Sequence, residues 1–270
     1  MVELNKKYQM RVIKFGLVNW IGFKSLWLKE CNRFMSVWQQ TLLSPLVSSL
    51  LFLSVLSLAL GNNREDVLGY SFTSFLAPGL IAMSILTQSF SHSVSSLMIG
   101  KMQGNIVDML YAPLSSLEIT MAIILAALTR SFLIAIISIG FFSLIVEIHV
   151  NNIFCIFIFG FLSAFILGGL GFITGLWAEK FDHSVTVTNF IITPLSFLSG
   201  VFYSVEKLPI FFQNISYLNP FFYMIDGFRY GFLGTADGSI SVGLIYLIIL
   251  SFIIWYVAFH LYKKGYKIKS

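Results

Sequence analysis

An all-α integral membrane protein with six spans is the fold class this sequence predicts, on three observations. Of 270 residues, 57% are hydrophobic and only 11% charged, against about a quarter charged in soluble domains. The apolar residues form long uncharged runs, not the two-residue alternation of a membrane barrel. Almost every stretch between those runs is shorter than 40 residues. Residues 1–270 therefore read as one membrane domain, and any soluble catalytic engine belongs on another chain.

A helix needs about 20 apolar residues to cross ~30 Å of hydrocarbon. Residues 34–63 and 67–100 carry no charged side chain, which puts spans near 39–60 and 72–97. The run 119–146 contains a single charge, Arg130, and the run 148–178 none; spans near 119–146 and 152–177 follow. Pro194 lies inside the uncharged run 184–205, and the last run is 238–262, giving spans near 185–203 and 240–261.

Basic residues orient the chain. Seven Lys/Arg precede the first span (Lys6, Lys7, Arg11, Lys14, Lys24, Lys29, Arg33), four follow the last, and Lys101 and Lys180 lie in loops of that side. These thirteen face only Arg64, Lys207 and Arg229 on the other side. Both termini are expected to be cytoplasmic. The net charge of +5 then follows from topology and does not point to nucleic acid. No removable signal peptide is read at the basic N-terminus.

Three elements lie outside the spans. Trp20, Phe23, Trp27, Cys31, Phe34 and Trp38 recur at steps of three and four, one face of a helix over 20–38 lying in the membrane interface. It is an anchor, or an anchor that also touches a cytoplasmic partner. In 98–118, Gly100, Gly104 and Pro113 bound a stretch, 104–111, that can form two helical turns. Ser115-x-x-Glu118 reads as a capping box opening the third span. A plain loop and a docking handle both fit. The cluster Glu179, Lys180, Asp182 and His183 ends the fourth span, as solvated helix-end charge or as a partner contact.

Chemistry on this chain is sparse. Gly100-Lys101 is followed by Met102, so the phosphate-binding loop G-x-x-x-x-G-K-[ST] is absent and no ATP hydrolysis is expected here. The four histidines have no ligand spacing, and no metal or cofactor is expected. Arg130 lies ~18 Å along the helix from Glu118 at 1.5 Å per residue. That is near mid-membrane, so it should face protein or water. Acidic residues are missing from the span interiors, which argues against a proton-coupled carrier. The stretch 216–234 is apolar but contains Asn219-Pro220 and the i, i+3 pair Asp226 and Arg229; it crosses, lies on, or dips into the bilayer.

Three stretches carry a resemblance: "AEKFDHSVTVTNFIITPLSFLSGVFYSVEKLP" (178–209), "LNPFFYMIDGFRYGFLG" (218–234) and "YAPLSSLEI" (111–119). They resemble the ABC-2 type permeases, membrane subunits of bacterial ATP-driven exporters. The resemblance implies a homodimer in the bacterial inner membrane, bound to two copies of an ATP-binding cassette subunit that carries ATP and Mg. It implies a coupling surface made of the helix 20–38, the loop around 100–111 and the end of span four. On this sequence its residues are Lys101, Asn105, Asp108, Tyr111, Glu179, Lys180 and Asp182. It also implies an outer-side re-entrant hairpin over 206–234. The residues agree, since 208–218 and 221–233 make pieces of ~16 and ~20 Å divided at Asn219-Pro220. Asp226 and Arg229 are either a structural pair or part of a gate. The expected cargo is hydrophobic or amphipathic: a lipid, a glycolipid or polysaccharide carrier, or a drug. An ion-gradient-driven transporter and a non-transporting scaffold are the alternatives.

Overall fold

The computed structural model of the chain describes residues 18–60 and 67–267. Lys6, Lys7, Arg11, Lys14, Arg64 and Lys269, used in the charge argument, lie outside them. The described residues form helices and turns, with one isolated β-bridge between Val67 and Tyr70.

Helix α1 spans Trp20–Ser36 and starts at Asn19, whose side chain accepts from the Gly22 amide at 2.9 Å. Its buried stripe is Leu26, Glu30 and Phe34, four residues apart and so on one face. The expected aromatic face is rotated from this stripe. Phe34 is buried and Phe23 and Trp27 are half-buried, but Trp20 is exposed, and Trp38 lies beyond the end of α1 and is exposed too.

A π-helical turn at Gln39–Leu43 leads into α2, Ser44–Leu60. Then come α3 (Phe72–Met102), α4 (Ile106–Tyr111), α5 (Ser116–Phe142) and α6 (Ile153–Trp177). Helix α3 runs past the expected end at 97 and is the central post, packed on α5 and α6. Gly104, at φ +74°, turns the chain from α3 into α4, a conformation that glycine adopts without steric penalty. The capping box at α5 forms: Ser115 Oγ accepts from the Glu118 amide, and Glu118 accepts from the Ser115 amide at 2.6 Å.

Next are α7 (Phe181–Val187), a π-helical turn at Thr188–Ile192 and α8 (Thr193–Leu198), one continuous helical path. Pro194 in the first turn of α8 has no N–H to donate, which suits the widened turn before it. The path ends at Leu198, short of the expected 203, because Gly200 at φ +74° turns the chain. Helices α9 (Ile210–Leu218) and α10 (Pro220–Leu233) meet at Asn219, and α11 is Ile240–Lys263.

Five helices among the described residues are long and apolar enough to cross a membrane: Gln39–Ala59, Phe72–Met102, Ser116–Phe142, Ile153–Trp177 and Ile240–Lys263. The α7–α8 path, the expected fifth of six spans, is not among them. At 18 residues from Phe181 to Leu198 it is ~27 Å long, and Asp182, His183 and Asn189 make it more polar than the rest. The break between α9 and α10 falls at Asn219-Pro220, as the sequence predicts.

Candidate functional site

At the α4 end of the bundle, Glu118 holds three segments. One carboxylate oxygen accepts from the Ser115 amide and the other from the Asn19 amide. Asn19 in turn donates to the Pro113 carbonyl at 3.0 Å. The starts of α1 and α5 and the loop between α4 and α5 thus converge. Beneath them Leu26, Leu97, Ile106, Met109 and Ile119 form a small core, with Phe23, Trp27 and Leu114 against it. Ile106 and Met109, one turn apart on α4, point inward; Asn105, Asp108 and Tyr111 are exposed, Tyr111 at 86%. Helix α4 is a short knob rooted by two apolar side chains.

Lys101 departs from the expectation of a partner-facing residue. Its ammonium turns inward to the carbonyls of Leu176 and Ala178, where a cation suits the C-terminal dipole of α6. Glu179, Lys180 and Asp182 are exposed. Glu179 pairs with Lys267 at 2.7 Å. The hydrogen bond and charge of Lys267 hold this carboxylate below its ordinary range, and Glu179 raises Lys267 in return. The pairing is present above the ordinary glutamate pKa and is lost as pH falls through the lowered one. It contributes little, because both groups face solvent.

At the opposite end, Asp226 and Arg229 are both buried and within reach of each other's charge, but they form no salt bridge or hydrogen bond with each other, contrary to the i, i+3 expectation. Asp226 accepts from the amides of Asp237 at 3.0 Å and Gly238 at 2.9 Å. Arg229 donates to the carbonyls of Gly200 at 2.6 Å and Val201 at 3.4 Å, and lies 3.8 Å from the centroid of the Phe75 ring. Backbone groups of the turn after α8 and of the turn before α11 take these hydrogen bonds instead. Asp237 continues the network, accepting from Ser204 Oγ at 2.7 Å and the Val205 amide at 2.8 Å. Asn219 satisfies the break: its carbonyl oxygen accepts from the Phe221 amide, and its NH2 donates to the Leu195 carbonyl and Ser199 Oγ. Helix α10 is packed into the bundle, whereas α9 leaves Ile210, Phe211 and Leu218 exposed.

Between these ends a cavity of about 1030 Å³ opens among α2, α3 and the α7–α8 path, with the end of α1 and Arg130 of α5 completing its wall. Ser84, Thr87, Gln88, Ser91 and Ser95 form a polar stripe down α3, facing Gln40, Thr41, Ser44 and Ser48. The stripe was visible in the sequence as hydroxyl and amide residues at helical spacing inside an uncharged run; which way it pointed was not. Arg130 donates to the Gln88 side chain and to the Thr41 carbonyl at 3.2 Å, so it faces protein and cavity. Sequence reasoning missed Glu30. It is buried, accepts from Arg33 Nε at 2.9 Å and lies 3.8 Å from Nε2 of the fully buried His92.

Comparison with known proteins adds the lineage of this architecture. Residues 22–233 match the family model described as ABC-2 type transporter. The chain is 34% identical over 253 residues to inner membrane transport permease YadH of Escherichia coli (strain K12), covering 93% of this chain and 98% of the relative. It is 28% identical over 228 residues to nodulation protein J of Rhizobium leguminosarum bv. viciae, covering 80% of this chain and 85% of that protein.

Proposed function

This chain belongs to the ABC-2 type transporter family, and from that premise we propose that it is the membrane-spanning subunit of an ATP-driven exporter. It works as a homodimer with two copies of a separate ATP-binding subunit, which carry the ATP and Mg. The membrane is the bacterial inner membrane, the location that the name of YadH gives for that relative.

The observation that carries this reading is the seating of α4. Ile106 and Met109 share a core with α1, α3 and α5, while Asp108 and Tyr111 project outward. A push on the exposed face of α4 therefore moves all three helices. Neighbouring Glu179, Lys180 and Asp182 extend the same surface. A plain loop would carry no such roots.

Six spans complete the membrane path, with α7–α8 as the fifth. A helix of ~27 Å needs only modest bilayer thinning to cross. Helices α9 and α10 then form the outer-side re-entrant hairpin, and both termini are cytoplasmic. Support comes from the Lys/Arg bias of the sequence and from the α9–α10 break. Helices α2 and α7–α8 border the cavity and leave Leu51, Val55, Phe190 and Ile191 uncovered. A second copy across this face would bury them and enclose a path for a hydrophobic or amphipathic substrate.

Affinity purification of the tagged chain from its native membrane tests the proposal. An ATP-binding subunit is expected to accompany it and to be lost from Asp108→Arg/Tyr111→Ala variants. Transport by the isolated chain driven by an ion gradient, with no ATP-binding subunit present, would overturn it.

A further inference from the structure

Arg130 is 7% exposed at about the middle of its span, and among the described residues it has no carboxylate partner. One guanidinium nitrogen bonds to Gln88 and the Thr41 carbonyl, and Nε has no hydrogen-bond partner among the described residues. Holding a cation there without an anion is unfavourable. The second cation in the cavity wall, Arg33, is already paired with Glu30 at 2.9 Å. Arg130 is thus the unneutralised charge of that wall. Gln88 presents its oxygen to Arg130, which leaves its two amide N–H donors available beside it.

The rest of the cavity differs in character. Towards the α10 end the wall is Phe52, Phe197 and Phe202. Their rings lie against each other, with centroids 5.4 Å apart for Phe52 and Phe202 and 5.5 Å for Phe197 and Phe202. One end offers a cation and amide donors; the other offers an aromatic surface.

We propose that this cavity binds an anionic amphipath, with its charged head group on Arg130 and the Gln88 amide and its apolar tail on Phe52, Phe197 and Phe202. The proposal rests on the exporter reading only for what becomes of the ligand afterwards. Binding itself requires neither ATP nor a partner.

The test uses the full chain in phosphatidylcholine nanodiscs with radiolabelled dodecyl phosphate, subtracting uptake by empty nanodiscs. Saturable binding is expected, weakened about tenfold or more by Arg130→Gln, since a charge-assisted hydrogen bond is lost, and less by Arg130→Lys. Because Arg130 also ties α5 to α3, a second variant leaves it in place. Ser48→Asp puts a carboxylate on the facing wall and should weaken binding similarly. Dodecanol and inorganic phosphate should each fail to displace the probe at equal concentration. Wild-type binding by both Arg130→Gln and Ser48→Asp would overturn the proposal. Displacement by dodecanol would reduce the site to an apolar one, and displacement by phosphate to a soluble-anion site; either result also overturns it. Absence of an ATP-binding subunit in the purification would instead strike the exporter reading and leave this binding result standing.

Discussion

Arg229 shows how a charge is accommodated at a single residue. It is 1% exposed and directs its guanidinium at carbonyls of the turn after α8, over the face of Phe75. Two backbone acceptors on one guanidinium nitrogen and an aromatic face hold it with no salt bridge among the described residues, and its Nε stays without a hydrogen bond. Arg229→Met keeps much of the volume and leaves both carbonyls unpaired, so it should destabilise the protein by about 2–4 kcal/mol, read as a lowered Tm in detergent. Arg229→Lys should recover only part of this, because an ammonium lacks the planar fork. If instead Arg229 served only as a gate, Arg229→Met would impair transport with Tm unchanged. Asp226, which accepts from the amides of Asp237 and Gly238, braces the entrance to α11 in the same manner.

At the scale of elements, α3 and α6 pack at close range because α6 carries glycine where the two touch. A Cβ at Gly171 would lie 2.4 Å from the Phe90 carbonyl oxygen, and one at Gly168 would lie 3.1 Å from Ser89 Oγ. Backbone cannot yield as a rotatable hydroxyl can, and small residues at such contacts are how membrane helices approach one another. Gly171→Ala should therefore cost about 1–3 kcal/mol through forced separation, and Gly168→Ala clearly less. Thermal unfolding of the two variants side by side checks the order; the reverse order would sink the explanation. Helix α4 illustrates the opposite case, a short element whose position depends on two anchoring side chains and on the glycine turn before it.

The whole molecule is organised around two ends. One gathers α1, α4, the end of α6 and the C-terminal turn of α11; the other holds the network of α10 with the turns at 200–205 and 237–238. The proposed orientation puts the first end in the cytoplasm. Glu206 and Tyr111 are exposed at opposite ends, whereas Ser204 and Val205 are buried, so Glu206 is the better reporter. A cysteine at Glu206 should react with an impermeant thiol reagent in intact cells. One at Tyr111 should react only after permeabilisation, with Cys31 and Cys155 replaced by Ser in both. Labelling of Tyr111→Cys alone in intact cells would invert the topology.

What the sequence determined by itself is the class of the molecule: a helical membrane domain, its long spans, its capping box at Ser115 and its break at Asn219-Pro220. These depend on run length, cap chemistry and the missing N–H of proline, all local properties. Tertiary structure alone decided which polar groups meet. Asp226 and Arg229 are three apart in sequence yet bond to different turns, Lys101 caps α6, Glu30 is buried beside His92, and the α3 stripe faces a cavity. Spacing along one helix says which side chains share a face. Only the packing of the other helices says what that face sees, and a buried charge goes to whichever donors or acceptors that packing has left unsatisfied.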